Sequence, residues 1–297
     1  MFLMSSKIIK VSFSRISVFL FVSLSFILLI HISISEGSES ISFINSNSNW
    51  YKLQGGFELG FLDVLSHTIQ FGNNGTKFNY VSEGGQDILF PFSRLTAEIN
   101  IHDRHNLIFL IQPLDVQTET LLRRNIVVDD LSFPKDTPLE LRYLFNFYRL
   151  SYLYDFSKAK NKEIAIGLSL QIRNASISFK SADGKLFRIN NGVGPVPIFK
   201  FRGKYPFSNG LWLGTEIDGF YASGKYITGS GNDFEGAILD ASLRIGLELT
   251  QYLDTYVNIR YIGGGAKGTE KNSTGPGDGF TDNWLKTLSV SLGFYIR

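Results

Sequence analysis

The chain contains no cysteine, so it has neither a disulfide framework nor a cysteine-based metal site. Secreted eukaryotic domains of this size often carry disulfides, and their absence favours a bacterial envelope protein. Net charge is nearly absent, +2 at pH 7 over 297 residues, which gives no electrostatic footprint for nucleic acid. Beyond residue 36 there is no helix period of useful length and no apolar run long enough for a spanning helix. Such a chain can cross lipid only as a closed barrel.

What is present is alternation. From Ala237 to Leu249 the odd positions are Ala237, Leu239, Ala241, Leu243, Ile245, Leu247 and Leu249, and between them stand Ile238, Asp240, Ser242, Arg244, Gly246 and Glu248. A period of two is the side-chain alternation of a β-strand. In a membrane barrel the apolar face meets lipid and the polar face lines the lumen. Aromatic residues reach 14%, with 26 Phe and 13 Tyr, against 19% charged residues, which suits a lipid-facing wall.

The first 35 residues have the form of an export signal. Lys7, Lys10 and Arg15 precede an apolar run from Ile16 to Ile30, and Ser33 and Ser35 place small residues before Glu36. The alternative is an uncleaved inner-membrane anchor, because the run approaches spanning length. Cleavage would leave 26 basic against 27 acidic residues. Residues 36–49 are rich in Ser and Asn and read as a flexible lead-in to a barrel over 50–297.

The remaining chain divides into strands near 50–63, 90–102, 106–118, 139–156, 162–180, 196–204, 210–224, 234–249, 254–264 and 283–297. Four tight joints alternate with long polar or Gly-rich stretches at 64–89, 119–138, 181–195, 225–233 and 265–282. The expected fold is therefore all-β, a transmembrane antiparallel up-and-down barrel of ten strands with both mature ends in the periplasm. Twelve strands is the second choice, because 68–81 could hold another pair. The outward face is expected to carry Phe57, Leu59 and Phe61; Leu95, Ala97, Ile99 and Ile101; Leu141, Tyr143, Phe145 and Phe147; Ile164, Ile166, Leu168 and Leu170; and alternate residues of the last strand. A change of phase near Tyr148–Arg149 predicts a β-bulge.

The inward face is expected to hold fourteen charges. The acids are Glu58, Glu98, Glu140, Glu216, Asp218, Asp240 and Glu248; the bases are Arg94, Arg142, Arg173, Lys200, Arg202, Arg244 and Arg260. Seven against seven predicts a nearly neutral, ion-paired network that plugs a narrow lumen. That favours a structural or surface-interacting barrel that works through its long external loops; a narrow channel for a small polar or amphipathic solute is the alternative, and an outer-membrane lipid-modifying enzyme or protease comes third.

No motif points firmly to catalysis. Gly219 to Tyr226 nearly matches a phosphate loop, but Tyr226 stands where Ser or Thr would hold magnesium and no helix follows. The seven glycines of Gly263–Gly279 read as an external loop open to adhesive roles. His102-Asp103-Arg104-His105 gathers titratable groups across a tight turn, where the rings need not converge. Ser66-His67 is a Ser–His neighbour pair, and adjacency in sequence says little about meeting in space. The sequons at Asn74, Asn174 and Asn272 have no meaning in a bacterial envelope. No metal, cofactor or catalytic residue is assigned. The expected partners are outer-membrane lipid, the barrel insertion machinery and an external ligand that the sequence does not specify.

Phe147–Phe156 (FYRLSYLYDF), Ile172–Ile177 (IRNASI), Gly194–Phe199 (GPVPIF) and Tyr261–Gly265 (YIGGG) together resemble a family of uncharacterised Gram-negative outer-membrane barrels. The likeness runs from about Arg94 to the C-terminus, and it implies a barrel without implying an activity. Barrels of this class usually end in an aromatic residue; here Phe294 and Tyr295 lie near the end and Arg297 is last.

Overall fold

A computed structural model describes residues 50–159, 162–224, 234–270 and 277–297. The export signal, the lead-in over 36–49, the 225–233 loop and the Asn272 sequon lie outside these residues. In chain order the strands are β1 (Tyr51–Phe71), β2 (Phe78–Asn79), β3 (Leu89–Ile101), β4 (His105–Gln112), β5 (Asp115–Leu121), β6 (Ile126–Val128) and β7 (Leu131–Phe133). There follow β8 (Pro138–Asp155), β9 (Glu163–Ser181), β10 (Phe187–Pro206), β11 (Leu211–Ser223), β12 (Glu235–Thr250), β13 (Leu253–Thr269) and β14 (Phe280–Ile296).

The wall is a closed antiparallel barrel. Neighbouring wall strands pair in sequence, and β14 returns to β1 from Gly55–Ile296 to Phe71–Thr281. Closure leaves no end strand with a free edge along its whole length. Strands β4 and β5 hold one register against β8, from His105–Tyr154 to Leu121–Pro138. They are parted only at Pro113–Leu114, where proline lacks the N–H that a ladder needs, so they make one wall strand. The wall therefore has ten strands, as the turn pattern predicts. The 68–81 stretch adds no wall pair: β2 pairs two residues with β1, and β6–β7 form a separate hairpin.

At the first short joint His102 and Asp103 have φ of 52° and 56°, the left-handed pair of a two-residue hairpin turn. At the opposite, long-loop end several strands outrun their expected limits. β1 continues to Phe71 past an irregularity between Val64 and Ser66, β10 starts at Phe187, and β13 reaches Thr269. No bulge occurs near Tyr148–Arg149, because β8 keeps one register with β9 from Leu139–Ser181 to Asp155–Ala165.

That unbroken register corrects the facing of β8. Odd residues point inward along its whole length: Leu141, Tyr143 and Phe147 are buried with Arg149, Ser151, Leu153 and Asp155. Phe145 packs against the same interior cluster. Glu140 and Arg142 instead face outward, where they pair with Lys180 at 2.7 Å and Asp115 at 2.7 Å. The interior at this height is apolar, so the polar face of the strand is the outer one. Elsewhere the apolar residues do face out: Phe57, Leu59, Phe61, Leu95, Ile99, Ile164, Ile166, Leu168 and Leu170 are all exposed.

Candidate functional site

The interior is the candidate site, and it is filled in three layers. At the short-turn end an aromatic layer covers part of the lumen, beside a mouth of about 1760 Å³ that reaches Glu98, Glu163, Arg202 and Arg244. Trp212 and Tyr256 lie 5.6 Å apart and Tyr256 stacks on Tyr295 at 4.8 Å between centroids. A side chain at Gly246 would collide with Trp212, and one at Gly293 with Tyr256. Glycine there lets the rings cross the lumen. Arg244 lies over both tyrosine rings, 5.3 Å from Tyr256 and 5.8 Å from Tyr295.

The second layer is ionic. Alternation on β1, β3, β8 and β10–β13 aims charged side chains at one level of the lumen. Asp240 pairs with Arg260, with Arg149 at 3.2 Å and with Arg94 at 3.3 Å. Asp218 takes Arg149 and Lys200, each at 2.9 Å. Glu216 pairs with Arg244 at 2.9 Å and lies 3.6–3.7 Å from Arg260, Arg94 and Lys200. Glu58 accepts from Tyr256, Asn258 and Ser291 and lies 3.5 Å from Arg244. One step nearer the short turns Arg202, the cross-strand neighbour of Glu216, bridges Glu98 and Glu163, each at 2.6 Å. Six bases thus meet six acids, and mutual pairing is what makes such burial tolerable.

Eleven of the fourteen expected lumen charges line the interior, ten of them in this network. Arg173 faces in but has no ion pair or hydrogen bond among the described residues. Glu248 sits at the short-turn rim, 3.8 Å from Arg297. Glu140 and Arg142 lie outside. Sequence reasoning missed Arg149, which the false phase change hid, and Glu163, which opens its strand beside a turn. It also missed the rim cluster in which Asp254 pairs with Lys204 at 3.1 Å and with Arg297.

The third layer, at the long-loop end, is apolar. Phe78, Tyr80, Leu122, Ile126, Val128 and Phe133 fold in from the connecting segments onto Leu62, Ile69, Phe92, Leu139, Leu141 and Phe179 of the wall. Phe179 is the hub, with Phe78 at 5.5 Å and Tyr80 at 5.7 Å. Each buried ring contributes a large apolar area, so this layer is also a folding core. Its lid is tied by Arg124, which pairs with Glu83 at 2.8 Å and donates to the Lys77 carbonyl at 3.0 Å. In the β6–β7 turn, partial burial pushes the Asp129 carboxyl up to about 6; nearby Asp130 and Asp278 push the same way, while Arg188 opposes.

The groupings that could carry chemistry do not assemble. His67 is buried, bonded to Gln86 at 2.8 Å and stacked on Tyr80 at 4.4 Å, while Ser66 is exposed. His105 bonds to the Tyr152 hydroxyl at 2.8 Å, whereas His102 lies against Trp50. Among the described residues no His, Asp and Glu grouping is arranged to hold a metal.

No family model and no curated protein matches the chain. Solved structures with a similar course are outer-membrane proteins. The outer-membrane protease OmpT of Escherichia coli aligns with a TM-score of 0.46 and 11% identity, over 86% of this chain and 99% of that one. The attachment invasion locus protein Ail of Yersinia pestis gives 0.31 and 8%, over 82% and 99%. The toluene transporter TodX of Pseudomonas putida gives 0.32 and 8%, over 84% and 90%.

Proposed function

We propose that this protein is an integral outer-membrane barrel, sealed against bulk flow, that meets its surroundings through its long-loop end. The observation that carries the reading is the filled lumen, with aromatic, ionic and apolar layers in series. An apolar layer excludes hydrated ions, and an ionic layer of fixed pairs offers no free path for a second solute. The outward stripe of Leu, Ile and Phe supports a lipid-facing wall. Trp50, Tyr221 and Trp284 fall near strand ends, where aromatic rings suit the headgroup level. In this orientation the short turns face the periplasm, the loops face outward, and the mature chain starts near Glu36. The separated or engaged histidines support a structural or surface-interacting role over an enzymatic one.

Planar-bilayer recording of the purified, refolded protein is the test. A sealed barrel gives no steady current; a large, steady conductance overturns the reading. Membrane fractionation with heat-dependent gel mobility tests the location, and recovery in the inner membrane with Met1 intact would refute it.

A further inference from the structure

The outer wall carries an apolar furrow with a cation at one end. A cavity of about 570 Å³ lies across β11–β14, inside the range of about 300–1,000 Å³ that ligand pockets occupy. Its outward residues form a cross-strand row. Phe199 faces Gly219, Gly219 faces Leu239, Leu239 faces Gly263, and Gly263 faces Lys286. All five line the cavity, and its other lining residues lie within two positions of these along the same strands, so the ladder itself is the floor. A β-carbon at Gly219 would meet nothing nearer than 3.8 Å, so the space above it is open. The Tyr261 ring folds over Gly263, where a β-carbon would collide with it.

The row is inclined. Phe199 stands seven residues from the short-turn end of β10, and Lys286 ten from that of β14. Three residues are about 10 Å of strand, so the row climbs toward the long loops as it approaches Lys286. Trp284, two residues further in the same direction, also lines the cavity, and its ring suits the headgroup level. The apolar end of the furrow therefore lies in hydrocarbon, and the ammonium reaches the headgroups on its long stem.

Lys286 is exposed and has no ion pair or hydrogen bond among the described residues. Asp63, outward beside Leu288 in the row below, does not pair with it. On its other side the row continues to Ser66. The register break between Val64 and Ser66 leaves both Leu65 and Ser66 exposed, and the Ser66 hydroxyl is also without a partner among the described residues. An ammonium on the lipid face is costly in hydrocarbon and favourable beside an anion. A free ammonium, a neighbouring hydroxyl and an apolar furrow descending from them fit a lipid with a phosphate head. The Trp284 ring beside the ammonium suits a sugar, whose C–H face can lie on an aromatic surface.

We propose that this furrow docks lipid A of lipopolysaccharide, the phosphorylated glycolipid of the outer leaflet. One phosphate is held by Lys286 and Ser66, and one acyl chain lies over Gly219. The proposal rests on the outer-membrane reading and adds a specific lipid site to it.

The test is native mass spectrometry of the detergent-refolded protein incubated with lipid A, which reads the fraction retaining one lipid. The wild type should retain lipid A over dephosphorylated lipid A by at least about tenfold, the effect of one charged hydrogen bond, and Lys286→Gln should remove that preference. Gly219→Leu fills the furrow and leaves Lys286 in place; it should lower retention at least about threefold. Arg142→Gln, on the outer face of β8, should match the wild type. Equal retention of lipid A by the wild type and Lys286→Gln, or no preference for the phosphorylated lipid, overturns the phosphate seat. Full retention by Gly219→Leu overturns the furrow, and equal retention of phosphatidic acid overturns the choice of a glycolipid. Heat-dependent gel mobility confirms that each variant has folded, so these outcomes are read separately from those for location and conductance.

Discussion

Replacing Asp240 with Asn tests whether the ionic layer holds the barrel together. Asp240 is fully buried and pairs with Arg260, Arg149 and Arg94. The substitution keeps the volume but leaves six bases against five acids, with three guanidiniums facing an amide that brings its own donors. Removing one partner of a buried pair costs about 3–5 kcal/mol, because the remaining charge is stranded away from water. Arg142→Gln removes a charge from an exposed pair with Asp115, for which about 0–1 kcal/mol is expected.

Both variants can be compared by urea unfolding in lipid vesicles. Emission from Trp212 in the aromatic layer follows the transition, although Trp50 and Trp284 also contribute. Asp240→Asn should unfold at much lower urea, and Arg142→Gln close to the wild type. Adding Arg260→Met to Asp240→Asn removes one stranded cation and should recover part of the loss, since charges in contact couple by about 0.5–3 kcal/mol. If Asp240→Asn falls within about 1 kcal/mol of Arg142→Gln, the pairs do not stabilise the lumen and the reasoning fails.

Two further outcomes follow from the wall and the loops. Leu243 is exposed on the outer face in the middle of β12, so Leu243→Arg should cost about 2–4 kcal/mol in vesicle refolding if it meets the bilayer midplane; a neutral effect would contradict the assigned facing. Asp129 has a raised carboxyl pKa of about 6, so the folded β6–β7 turn favours the protonated acid. That contribution is full below the ordinary aspartate value near 4 and is lost as pH rises through about 6. Hydrogen exchange at Ile126–Phe133 should therefore be slower at pH 4.5 than at pH 7.5 after correction for intrinsic rates. Asp129→Asn, which keeps a residue tolerant of the observed φ of 56°, should abolish the difference, and a difference that persists would remove Asp129 as its cause.

The number of wall strands was legible because turns and alternation are local. Charge placement was legible wherever the apolar face meets the outside, as on β12, where Asp240, Ser242 and Arg244 all turn inward. Some strand ends at the long-loop side, those of β1, β10 and β13, were not. There the outer face of β9 becomes Asn174, Ser176, Ser178 and Lys180, and the inner face of β10 becomes Gly192 and Gly194. Polar residues outside and glycine inside imitate a loop, and Pro195 and Pro197 strengthen that imitation although both lie within β10 on an unbroken ladder with β9.

The error on β8 has a more general cause. Alternation reports that the two faces of a strand meet different surroundings, but it does not say which face is inside. Along β8 the outer residues run from Glu140 and Arg142 to Leu150 and Tyr152, while the inner ones run from Leu139 and Leu141 to Arg149 and Ser151. Polarity exchanges sides halfway along a strand whose register never changes. A slip of one residue would explain the same letters, and the sequence of this strand alone cannot separate the two. What separates them is the apolar layer that Phe78, Ile126 and Phe133 bring back into the lumen from distant connections. Once the inner solvent is aliphatic at one end and ionic at the next, an unbroken strand must change its pattern. The inversion on β8 is thus the mark that the loops leave on the wall they fill.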